Sequence, residues 1–77
     1  MELGYYRHYK GTLYLVGGIA RHSETLEPLV IYSSTESLDV LWARPMDMFL
    51  ESVTLEDGSS TPRFTFLGTA CQMMSEP

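Results

Sequence analysis

Aromatic and basic residues crowd the start of the chain: Tyr5, Tyr6, Arg7, His8, Tyr9 and Lys10 run consecutively, and Tyr14, Arg21, His22 and Arg44 follow. Arginine presents planar, permanently charged donors that match carboxylate or phosphate, and a tyrosine ring offers a flat surface for stacking. Side by side they suit a groove for a peptide or a platform for single-stranded nucleic acid. The candidate binding set is therefore Tyr6, Arg7, His8, Tyr9, Arg21, His22 and Arg44. Neighbours in an extended chain point to opposite sides, so one member of each pair, Arg7 or His8 and Arg21 or His22, should face the ligand while the other braces the fold. Against this stands a plainer role, in which the tyrosines cap the core and the cations pair with Glu24, Glu27, Asp47 or Glu51.

Catalytic chemistry has weaker support. His8 or His22 could move a proton near neutral pH, which leaves a small enzyme or enzyme-associated domain as an alternative. The run His22-Ser23-Glu24 holds the residue types of a hydrolytic relay, but adjacent extended residues diverge and cannot form one. Nothing resembles a nucleophile elbow. Metal binding needs three or four converging ligands, and only His8, His22 and Cys71 join the carboxylates; no loop has the acidic spacing of a calcium site. Gly17 and Gly18 lack the further glycines and the helix of a phosphate loop. No cofactor or metal is expected.

The elements that would position these residues read as short strands. Residues 5–9 favour an edge strand, and Lys10-Gly11 a bend. In residues 12–16, Leu13 and Leu15 alternate with Thr12, Tyr14 and Val16, which predicts that the two leucines point inward. Gly17-Gly18 marks a bulge or bend that could swap the faces of Ile19, Ala20, Arg21 and His22. A polar loop with Pro28 at its end leads to a return strand at 29–32, and residues 38–43 form another, with Leu38, Val40 and Trp42 on one face. Met46, Phe49 and Leu50 fall at helical spacing after Pro45, predicting one or two helical turns that plug an open barrel end. Residues 51–55, an Asp57-Gly58 turn and a closing strand at 62–67 complete the pattern. The expected fold is a mostly β, small SH3-like five-stranded barrel over residues 5–67, with an OB-type barrel as the alternative and 68–77 as a flexible tail. The expected core is Leu13, Leu15, Ile19, Leu29, Ile31, Val40, Trp42, Phe49 and Phe64.

The blocks Tyr6-Arg7-His8-Tyr9-Lys10-Gly11, Ala20-Arg21-His22-Ser23-Glu24-Thr25, Val30-Ile31-Tyr32, Trp42-Ala43-Arg44-Pro45 and Met48-Phe49, in that order, resemble the bacterial domain-of-unknown-function family 1653. The resemblance runs from about Tyr5 to Phe64. It implies a short bacterial domain and brings no activity, catalytic residue or cofactor with it. The chain departs from the family pattern where a glycine often precedes the Trp-x-Arg-Pro block, having the connection 33–39 there instead.

Size and charge narrow the functions further. A chain of 77 residues is one domain with a small core and little room for a deep catalytic cleft. The net charge of −5 opposes a polyanion and so ranks a peptide or protein partner above nucleic acid. The charge is uneven: up to His22, Arg7, Lys10 and Arg21 face Glu2 alone. A lone cysteine, Cys71, suits a reducing cytoplasm. No apolar run could span a bilayer and no export signal opens the chain, so the expectation is a cytoplasmic, monomeric, non-catalytic binding module.

Overall fold

The computed structural model describes residues 1–69. Seven strands and one helical turn follow each other as β1 Gly4–His8, β2 Leu13–Arg21, β3 Pro28–Ser34, β4 Ser37–Pro45, α1 Met46–Phe49, β5 Ser52–Thr54, β6 Ser60–Pro62 and β7 Phe64–Gly68. Five form one antiparallel sheet in the order β4-β3-β2-β1-β7, and β5 and β6 form a separate two-stranded ladder. Local chemistry sets the turns between them. Gly11, at φ 107°, lets the chain reverse so that the His8 amide reaches the Thr12 carbonyl at 2.8 Å. Gly58, at φ 87°, does the same between β5 and β6, where the Asp57 carboxylate also accepts from the Ser59 amide at 2.9 Å.

The register assigns the faces. Tyr6 lies opposite Tyr14, Val16 opposite Tyr32, Ile19 opposite Val30, and His8 opposite Phe64, so these residues share one side of the sheet. On that side Tyr6, Val16, Val30, Tyr32 and Phe64 are buried, together with Phe49 from α1, which lies against three of them. The Phe49 and Phe64 rings stack at 4.0 Å with 3° between their planes, while Tyr6 and Tyr32 meet Phe49 edge-on at 5.3 and 5.4 Å. The helical turn foreseen after Pro45 thus exists, and Phe49 fills the centre of the apolar cluster.

Several expected core residues lie elsewhere. Leu13 and Leu15 pair with Arg7 and Tyr5 on the opposite side, and Tyr14 and Val16 turn inward instead. Leu29 and Ile31 join that opposite side, half-buried. Ile19 and Trp42 do face the cluster by register but are 41% and 54% exposed, and Val40 is exposed as well. The reason is reach: a four-residue helical turn spans about 6 Å, whereas strands as long as β2 and β4 run about 30 Å. The cover is local: Val30 and Tyr32 are buried, while their register partners Ile19 and Trp42 are not.

The sheet does not close into a barrel, because β4 and β7 each keep one unpaired edge among the described residues. The expected closing strand at 62–67 breaks at Arg63. Up to Pro62 the chain pairs with β5, and from Phe64 it pairs with β1. Arg63 bridges the two ladders through its backbone, donating to the Glu51 carbonyl at 3.0 Å and accepting from the Tyr9 amide at 2.9 Å. In consequence β1 is not an edge strand but lies between β2 and β7. The structure carries β7 to Gly68, inside the stretch expected as tail; residues 70–77, with Cys71, lie outside the described residues. Among the described residues no helix is long and apolar enough to cross a membrane.

Candidate binding face

Four strands deliver one side chain each to a seam on the helix-bearing side of the sheet. β1 supplies His8, β2 Tyr14, β3 Tyr32 and β4 Arg44, and β7 places Phe64 beneath them. His8 meets Phe64 edge-on at 5.0 Å and Tyr14 at 6.3 Å; Tyr14 meets Tyr32 at 5.4 Å and Phe64 at 5.6 Å. The Arg44 Nε donates to the Tyr32 hydroxyl at 3.3 Å. Trp42 stands opposite Tyr32 on the edge strand, so its half-exposed indole extends the same seam.

The electrostatics of the seam are cationic. Burial pushes the His8 imidazole below its ordinary range, and the charges of Arg63, Lys10 and Arg44 push it further the same way. Three cations therefore bear on one neutral imidazole. Arg63 is held by Glu51, Nη2 to Oε1 at 2.8 Å, the one ion pair among the described residues. Arg44 has no carboxylate within ion-pair distance among those residues. An anion laid along the seam would meet the Arg44 guanidinium, which matches a carboxylate, and the accessible parts of His8, Tyr14 and Trp42, since Tyr32 and Phe64 are buried.

The candidate set divides between this seam and other tasks. His8 and Arg44 come together here, with Tyr9 at the margin, its ring 4.6 Å from His8 and 5.8 Å from the Lys10 ammonium. Tyr6 is core, 5% exposed, its hydroxyl donating to the Glu2 carbonyl at 2.6 Å. Arg7 is exposed on the opposite side, across from Leu13 and Thr65. Arg21 and His22 serve the β2–β3 loop: the Arg21 Nη1 donates to the Leu26 carbonyl at 3.0 Å, and His22 Nδ1 accepts from the Glu24 and Thr25 amides at 3.1 and 3.3 Å. Both side chains thus have their partners within the loop. Tyr32 and Trp42 were missed as site residues. The signal for Tyr32 lay in its two-residue spacing from Val30, which puts both on one face.

Chemically the seam offers cations, hydroxyls and rings. Among the described residues neither His8 nor His22 touches a carboxylate, and no three His, Cys, Asp or Glu side chains gather as metal ligands. Two hollows lie away from it, one of about 580 Å³ between the N-terminal segment and β2, the other of about 320 Å³ beside α1 at Glu27, Pro28 and Leu50. A shallow seam rather than a deep cavity is the geometry of an extended ligand.

The model of a family described as "Protein of unknown function (DUF1653)" matches residues 4–66. A crystal structure of a protein belonging to the same family, from Bordetella bronchiseptica, is 35% identical, has a TM-score of 0.78, and the alignment covers 90% of each chain. No curated protein matches the chain.

Proposed function

The chain belongs to the DUF1653 family, whose description names no activity, and we propose from the geometry that it is a non-catalytic recognition module that binds an acidic stretch of a peptide or protein partner. The observation that carries the reading is Arg44. It sits half-buried in an aromatic seam, is positioned by Tyr32, and has no carboxylate of its own among the described residues. Burying a guanidinium without an acid is costly unless a ligand supplies one. SH3-like barrels bind extended peptides across aromatic-lined faces, and an open sheet with this seam would work the same way. The net charge of −5 opposes any polyanion, nucleic acid or long acidic run alike, which limits the ligand to a short segment with a carboxylate at Arg44, and the cytoplasm of a bacterium is the compartment that fits a single cysteine.

The test is a titration of the isotope-labelled protein at low salt with a glutamate-rich peptide, its glutamine counterpart, and a short single-stranded RNA. Ring and guanidinium signals of His8, Tyr14, Tyr32 and Arg44 should move with the acidic peptide and stay still with the glutamine one. Movement with RNA alone, weakening steeply as salt rises, would replace the peptide reading with the nucleic-acid one.

A further inference from the structure

β4 is the outermost strand of the sheet on its side, and among the described residues no other element pairs with its outer edge. It is also irregular on its inner edge. Ser37 pairs with Ser34 and Trp42 with Tyr32, so the four residues between, Leu38, Asp39, Val40 and Leu41, lie opposite Ser33 alone and have no registered partners in β3. All four are extended and exposed, and three are apolar, at 56%, 42% and 70% for Leu38, Val40 and Leu41. Backbone donors and acceptors in a strand need partners, and a row of them beside exposed apolar side chains is a template for another strand.

We propose that this edge is where the partner docks: an extended peptide adds to β4 as a sixth strand, with an acidic residue at the Arg44 end and apolar residues at alternate positions facing Trp42 and Val40. This rests on the reading of the seam as a peptide site and names how the peptide is held. Main-chain bonds to β4 hold the segment, and side-chain pairs along the face choose its sequence. Charge decides the occupant. Arg44 needs a carboxylate, while Asp39, nearer the other end of the strand, repels one there. A second copy of this chain meets the requirement less well: self-pairing about Leu41 sets Arg44 against Leu38 of the other copy, and pairing about Val40 sets it against Glu36, which lies in the β3–β4 turn outside the strand.

The experiment uses the whole protein and a blocked synthetic peptide with glutamate, leucine and valine at alternate positions. A second peptide of identical sequence is N-methylated on the backbone amides that would face β4. Amide hydrogen exchange should slow at least tenfold on binding at those of residues 38–41 whose N–H faces the outer edge, alternate ones in an extended strand, and N-methylation should weaken binding at least tenfold. Arg44→Gln and Val40→Thr, each first shown to keep the parent's circular dichroism spectrum, should weaken the unmodified peptide several-fold. Binding that shifts Tyr14 and Tyr32 without slowing exchange at 38–41 would overturn strand addition and leave the seam reading standing. Equal binding of the N-methylated peptide, or a free protein that sediments as a dimer with these amides already protected, would overturn it too. Failure of every peptide to bind would overturn both readings.

Discussion

Replacing Phe49 by alanine should nearly unfold the domain, whereas replacing Trp42 should not, although tryptophan is the larger side chain. Phe49 is 0% exposed and touches Tyr6, Tyr32 and Phe64, with the Phe64 ring stacked at 4.0 Å. Truncating a buried phenylalanine costs about 3–5 kcal/mol through lost transfer energy and the cavity left behind. A domain of this length is stable by about 4–12 kcal/mol, so the loss removes about a quarter or more of the total. At about 4–8 °C per kcal/mol, a cost of about 4 kcal/mol lowers the Tm by roughly 16–32 °C. Trp42 is 54% exposed, so alanine there should cost about 1 kcal/mol. Urea unfolding followed by circular dichroism measures both, and equal m-values would show that the unfolded reference is shared. A Trp42→Ala variant less stable than Phe49→Ala, or a Phe49→Ala variant melting within a few degrees of the parent, would show that α1 is not what covers the sheet.

Other outcomes are equally definite. An added Cβ at Gly17 meets nothing within 4 Å and the residue is not at positive φ, so Gly17→Ala should be neutral or raise stability by up to about 1 kcal/mol, read as a rise in Cm. Gly4→Ala should do the reverse, since at φ 140° its Cβ would overlap the Gly68 carbonyl; weakened protection of the β1–β7 amides would report it. His8 titrates below its ordinary 6.5 in the fold because of burial and then the Arg63, Lys10 and Arg44 charges, so the unfolded chain takes up the proton first. Its contribution is complete above about pH 6.5 and is lost as pH falls below that, so the Tm should drop on acidification and His8→Gln should flatten the drop. A bound acidic peptide offsets the same cations, and the His8 imidazole signal should then titrate at higher pH than in the free protein.

Much of the element pattern was legible because strand residues, turn glycines and the Pro45 helix start carry local signals. The faces were not. In residues 12–16 both alternating sets are apolar enough to be core, and nothing within the strand says whether Leu13 and Leu15 or Tyr14 and Val16 turn inward. The position of Phe49 decides it, and that is a tertiary fact. Trp42 was misplaced because size was taken as burial, whereas its strand is an edge strand, paired on one side only, and leaves the indole 54% exposed. The barrel failed at Arg63, where a change of pairing partner leaves no trace in hydrophobic periodicity. Of the candidate set, His8 and Arg44 join one row through Tyr14 and Tyr32, because β1 to β4 turn these four side chains to the same face of the sheet. Arg21 and His22 read as site residues from their types, but their partners are the amides and carbonyl of their own loop.

The strand order also sets the sequence of events by which the chain assembles. β1 to β4 is a meander of hairpins, but β7 must return to β1 and pair Tyr6 with Phe66, some 60 positions further along. Closing a loop of about 60 residues costs about 2 kcal/mol more than closing a hairpin of about eight. The meander should therefore form the folding transition state, with β7 and the Phe49–Phe64 stack arriving after it. Phe64→Leu should then speed unfolding while leaving the folding rate nearly unchanged, and Val30→Ala in the meander should slow folding. The strand that brings Phe64 to the binding seam would be the last to join the fold and the first to leave it.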